Sequence, residues 1–224
     1  MTDPHEKPHG AEPAESGTNA AVLDAKGLRA LAHPLRLQLV GLLRKHGPST
    51  ATRLAERLGV NSGTASYHLR QLGAAGFVEE DAECGNARER WWRPVHQSTW
   101  FNDPDLAERE PEAALAYLQS VAATYTLRTQ RTLNELQTMP RAWRDTFDMS
   151  DWPLRLTPAE AAALQDELRE VVSRYRRDTP EKAAEAPEGA ERVSVITHFL
   201  PEPGEPSAPA GRSGPEGATG AKTS

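Results

Sequence analysis

The chain has 224 residues, 26 of them Lys or Arg and 32 Asp or Glu, for a formal net charge of −6. No apolar run approaches the roughly 18–20 residues that cross a bilayer, and the opening MTDPHEKPHG lacks the apolar stretch of a secretory signal, so a cytoplasmic protein is expected. The single cysteine, Cys84, excludes an internal disulfide framework and any cysteine-rich zinc module.

Residues 1–21 are expected to be a disordered tail, because they carry almost nothing apolar larger than Ala to offset the cost of ordering the backbone. Helical periodicity begins near Asp24, with Leu28, Leu31 and Ala32 on one stripe. Pro34 suits the first turn of a second helix, LRLQLVGLLRKH, which Gly47-Pro48 stops. Ser49 or Thr50 then caps ATRLAERLG, closed by Gly59. Ser62 caps the next helix, TASYHLRQLGAAG, with Ala65, Leu69 and Leu72 on one face. Two short helices joined by a tight Gly-containing turn form a helix-turn-helix. From Phe77 to Val95 the pattern is a β-hairpin with a polar tip around Cys84-Gly85-Asn86.

The second half opens at Asp103-Pro104 and continues as a long helix over about residues 111–137. Leu115, Leu118, Ala122, Tyr125, Thr129, Thr132 and Leu136 follow a 3-4 spacing and form a candidate dimer seam; the competing reading is packing against a later helix. Residues 153–156 read as a short strand. Thr157 to Glu160 is a capping box that starts a helix over residues 158–177. Val193–Leu200 reads as a strand and a partner for 153–156, with room between these strands and the helices for an unidentified small-molecule effector. Residues 201–224 contain five Pro and five Gly and are expected to be a second disordered tail.

The expected architecture is therefore mainly α with a small β-hairpin wing. A winged helix-turn-helix domain at 22–100 is followed by a helical dimerisation and effector region at 101–200 with a short two-stranded sheet. Residues 22–100 hold 11 basic and 7 acidic residues, whereas 101–200 hold 12 and 18. A basic module joined to an acidic one points to a polyanion partner for the first.

If Ala65, Leu69 and Leu72 face the core, the opposite side of their helix presents Ser62, Gly63, Thr64, Ser66, Tyr67, His68 and Arg70. Hydroxyls and amides at a helix N-terminus suit phosphate oxygens, while Ser, Thr and Arg can read base edges in the major groove. His68 has a second reading, as a packing or capping residue on the core side. Asn86, Arg88 and Arg90 on the hairpin suit the flanking backbone or minor groove. Trp91 and Trp92 point to opposite faces of a strand, so one is core and the other sits on the extension or lines a ligand cavity. Cys84, with no partner thiol, is a weak redox candidate. His5 and His9 lie in a tail with no arrangement of further ligands.

The stretches LRALAHPLRLQLVGLLRKHGPSTATRLAERLGVNSGTASYHLRQLGAAGFVEE and RERWWRPV together resemble the ArsR-type winged-helix transcriptional regulators of bacteria, over about residues 24–98. The resemblance implies a homodimer that represses or activates by binding inverted-repeat operator DNA. Metal-sensing members carry a Cys-x-Cys pair in the helix that here reads ATRLAERL, so that thiolate site is absent. The alternative is a winged-helix protein–protein module without sequence-specific DNA binding, but such a docking face would need apolar anchors, and Tyr67 is its only aromatic. The sequence contains no Gly-rich phosphate loop, nucleophile elbow or HExxH. No catalytic residue, metal or cofactor is expected.

Overall fold

The computed structural model describes residues 20–84, 89–101, 103–176, 178 and 180–202. The expected tails fall almost entirely outside these residues. Helix α1 (Ala25–Leu31) starts on the Asp24 carboxylate, which accepts from the Gly27 amide at 2.7 Å. Helix α2 (Pro34–His46) has Pro in its first turn, and His33 caps it through Nδ1, which accepts from the Leu35 amide at 3.2 Å. Gly47 ends α2 at φ 77°, a conformation costly for any residue with a Cβ.

Helix α3 (Ala51–Leu58) is capped by the Thr50 hydroxyl and closed by left-handed Gly59. Helix α4 (Ser62–Ala74) follows after Val60 and Asn61. Its cap is Asn61, not Ser62 as expected: Asn61 Oδ1 accepts from the Gly63 amide at 2.7 Å. Asn caps as well as Ser, and the extended backbone at Asn61 places it one residue before the first helical turn.

These four helices enclose one core. Leu28 and Leu31 of α1, Leu39 and Leu43 of α2, Leu54 of α3, and Leu69 and Leu72 of α4 are all fully buried. The expected hairpin forms from β3 (Val78–Glu80) and β4 (Trp91–Pro94), antiparallel, with Glu79 opposite Arg93. A third strand, β2 (Ser49–Thr50), pairs with the other edge of β4, giving the order β2-β4-β3. Thr50 thus ends a strand and caps a helix at once, which anchors the sheet to the start of α3.

A sheet at the start of the chain was not expected. Strand β1 (Ala20–Val22) runs parallel to β5 (Ser98–Trp100). Ala20 and Ala21, assigned above to the tail, belong to it. The pairing continues in Leu23, whose amide donates to the Trp100 carbonyl at 3.1 Å, and Ala21 and Leu23 turn into the core.

The core also crosses the boundary expected at residue 100. Helix α5 (Pro104–Arg109) buries Leu106, and the first half of helix α6 (Pro111–Glu135) buries Ala114, Tyr117 and Ser120 where it packs on α1 and α2. Helix α7 (Arg141–Arg144) and helix α8 (Pro158–Ser173) bury none of their residues. The capping box of α8 is present, with Thr157 and Glu160 bonded reciprocally. A short helix α9 (Pro180–Ala184) follows, and the chain divides after Glu188.

The two-stranded sheet expected in the C-terminal region is a misreading. Neither 153–156 nor 193–200 is a strand. Leu154, Leu156, Val193 and Val195 stay exposed. An apolar β-prone run becomes a strand only when another segment pairs with its backbone, and the two sheets of the described residues include neither segment. The strands that would frame an effector pocket are therefore not formed.

Candidate nucleic-acid interface

The geometry of the candidate face follows from three inward pegs. Ala65, Leu69 and Leu72 are each 0% exposed, so α4 has no rotational freedom about its axis. Ser62, Gly63, Thr64, Tyr67 and Arg70 lie on the exposed side. Tyr67 is 53% exposed despite its ring. The first turn of α4 carries no acidic residue, so nothing opposes the positive end of the helix dipole there.

Two of the expected face residues sit differently. Ser66 and His68 are half-buried. The His68 ring packs on His33 of α2 with centroids 4.5 Å apart, and the Tyr67 ring meets its edge at 5.2 Å. Burial first, and then His33 and Arg36, hold His68 below the ordinary histidine pKa. His68 belongs to the seat of α4, because its position on the helix falls beside the Leu69–Leu72 face rather than opposite it.

The wing is described only at its root. Asn86 and Arg88 lie outside the described residues. Arg90 is exposed and pairs with Glu80 at 3.1 Å, while Arg93 pairs with Glu79 at 2.8 Å. Such exposed pairs contribute about 1 kcal/mol or less, so an arriving phosphate can exchange for the carboxylate at little cost. Arg70 and Arg90 both line an open groove that α4 and the sheet share with Gly73 and Trp92. Trp92 lies close to α4 there because Gly73 has no side chain: a Cβ would stand 3.1 Å from Cζ3 of Trp92. At the base of the wing, the Asp81 carboxylate accepts from the amides of Glu83 and Cys84. Desolvation and then the Asp81 charge raise the Cys84 thiol pKa, which disfavours the reactive thiolate.

Of the tryptophan pair, Trp92 is the core member. Trp91 is half-buried, and the Arg53 guanidinium of α3 lies over its ring at 4.9 Å. This contact ties α3 to β4. The sequence signal for it was the Trp-Trp alternation, which requires one ring to find an outward partner, but nothing in the spacing named Arg53.

The expected dimer seam divides in two. Leu115 and Leu118 are 57% and 51% exposed, and Ala122 is exposed too, whereas their neighbours Ala114, Tyr117 and Ser120 pack into the core. Tyr125, Thr129, Thr132 and Leu136 are half-exposed. The Thr132 hydroxyl donates to the Arg128 carbonyl, which satisfies it within the helix. Among the described residues no group of three His, Cys, Asp or Glu side chains is placed to hold a metal, and no helix is long and apolar enough to cross a membrane.

Residues 31–81 match a protein-family model described as a helix-turn-helix domain. No curated protein matches the chain. Among solved structures, the chain is similar to a homodimeric winged helix-turn-helix DNA-binding domain from Mycobacterium bovis, described as a possible ArsR-family transcriptional regulator. The identity is 28%, over 47% of this chain and 81% of that one, with a TM-score of 0.29. A transcriptional regulator from Thermotoga maritima is 13% identical, over 63% and 75% of the two chains, with a TM-score of 0.27. ZitR from Lactococcus lactis is 16% identical, over 67% and 85%, also with a TM-score of 0.27. The matched domain and the element order together establish a helix-turn-helix followed by a β-hairpin wing.

Proposed function

We propose that this protein is a sequence-specific transcriptional regulator that binds inverted-repeat operator DNA as a homodimer, with α4 in the major groove and the wing on the flanking backbone or minor groove. The observation that carries this reading is the two-sidedness of α4. Three fully buried aliphatic positions fix one side, and Ser62, Gly63, Thr64, Tyr67 and Arg70 occupy the other. Short hydroxyls at the N-terminal end allow close approach to phosphates and base edges, and Arg70 has the reach and the fork geometry for a guanine or a phosphate. Arg53, Arg70 and Arg90 extend the cationic surface from α3 to the wing. The ArsR-type resemblance of residues 24–98 favours the same assignment.

A recognition helix reads only a half-site, so an operator of useful length calls for a two-fold partner. The exposed Leu115, Leu118 and Ala122 face of α6 supplies an apolar surface for it. The experiment is selection of bound duplexes from a random library by the full chain. The expected product is two inverted half-sites with centres about one helical turn, roughly 10 bp, or a multiple of it apart, bound with an affinity that falls steeply with salt. Enrichment of no sequence, together with salt-insensitive retention, refutes the proposal.

A further inference from the structure

The crossing of α2 and α4 holds two histidines whose surroundings suit only neutral rings. His33 Nδ1 accepts from the Leu35 amide at 3.2 Å, which requires a lone pair on that nitrogen. A protonated ring presents a donor there instead, and the cap of α2 is lost. His68 lies against His33 with its Nδ1 buried and, among the described residues, without a hydrogen-bond partner; Arg36 Nε is in the same condition. A proton placed on His68 Nδ1 is a buried donor with no acceptor, the costly arrangement. The groups that act on His68 are His33 and Arg36 from α2, with Tyr67 from α4 itself at its edge. Helix α1 meets the cluster through the Arg29 carbonyl, which accepts from Arg36 Nη2 at 3.2 Å, and the Arg29 side chain is itself engaged with Glu110. From α3 and β3, the other elements packed on α4, no group is among the causes of the His68 shift. A proton on His68 is therefore added beside the Arg36 guanidinium, and among the described residues no carboxylate is named as offsetting it.

We propose that the His33–His68 contact is an acid-sensitive latch: protonation of His68 drives its ring away from His33 and Arg36 and loosens the seat of α4. The latch is a property of the helix pair, and only its effect on DNA rests on the functional reading above. The sign follows from linkage. His68 is held below its unfolded value of about 6.5, first by desolvation and then by His33 and Arg36. The stability it contributes is present above that value and is lost as pH falls through the lower folded value.

The test uses the full chain. Histidine side-chain NMR titration of the wild type is combined with thermal melts from about pH 8 to about pH 5. The same melts are run on the double variant His33→Asn with His68→Gln, in which Asn retains a capping side chain. The latch predicts that His68 titrates below the ordinary range, and that the wild-type Tm falls by several degrees more than that of the double variant. A His68 that titrates at or above the ordinary value overturns it, and this arm needs no variant to fold. Parallel pH profiles of the two proteins also overturn it. Acidification by itself adds positive charge and tightens binding to a polyanion. The latch predicts the opposite in the wild type, a loss of duplex affinity at low pH that the double variant does not show. A chain that binds no duplex at any pH removes the functional reading, while the titration and the melts still decide the latch.

Discussion

Leu69 and Tyr67 are two residues apart on α4 but have opposite expected roles, and replacing each with Ala separates the seat of the helix from its face. Leu69 is 0% exposed and Tyr67 is 53% exposed. Truncating a fully buried Leu removes its transfer energy and leaves a cavity, a cost of about 2–5 kcal/mol. Against a total stability of about 5–15 kcal/mol, a loss near the middle of that range lowers Tm by roughly 10 °C. Tyr67→Ala gives up its edge contact with the His68 ring, worth about 1 kcal/mol, and little else inside the protein. Far-UV circular dichroism melts read the first quantity, and fluorescence anisotropy on a labelled operator, below both melting temperatures, reads affinity. Leu69→Ala should melt much earlier, yet below its melting temperature lose less DNA affinity than Tyr67→Ala does. Tyr67→Ala should melt near wild type and bind at least tenfold more weakly, about 1.4 kcal/mol or more. If Tyr67→Ala costs as much stability as Leu69→Ala, or leaves affinity unchanged, the assignment of the two faces of α4 is wrong.

Arg44 donates from Nε to the His96 carbonyl at 2.7 Å and from Nη2 to the Ser98 carbonyl at 3.0 Å and Thr99 Oγ1 at 2.9 Å. Burial pushes its pKa down to about 10, so it stays charged near neutrality. Arg44→Met should cost about 2–4 kcal/mol by urea denaturation, because the charge-assisted hydrogen bonds that tie α2 to β5 and the residues before it are lost, whereas a loss under about 0.5 kcal/mol, the surface range, contradicts that role. Replacing Leu115 and Leu118 together with Glu should leave the melt nearly unchanged, since both are exposed. The same change should convert the dimer to monomer by light scattering, and an unchanged dimer mass excludes this face of α6 as the interface.

Most of the helix-turn-helix was legible because its signals are local. Pro34, Gly47 and Gly59 punctuate the helices, and the 3-4 spacing of Ala65, Leu69 and Leu72 orients α4 without help from elsewhere. What failed depends on distant partners. The β1–β5 sheet joins residues nearly eighty positions apart, and two Ala give no sign of it in isolation. The 153–156 and 193–200 segments carry the apolar content of strands, but pairing is a property of two segments and neither spacing nor composition supplies the second. His68 illustrates the boundary between the two cases: its helical position allowed either face, and only the placement of His33 across the α2–α4 crossing decides which.

The central claim is that the outward side of α4 grips duplex DNA, and the most direct measurement is operator binding by the full chain with Tyr67→Ala and Arg70→Ala combined. The account predicts that this double variant keeps its melt and its oligomeric mass while operator binding disappears and the steep salt dependence goes with it. Wild-type affinity and an unaltered salt slope in the double variant contradict it.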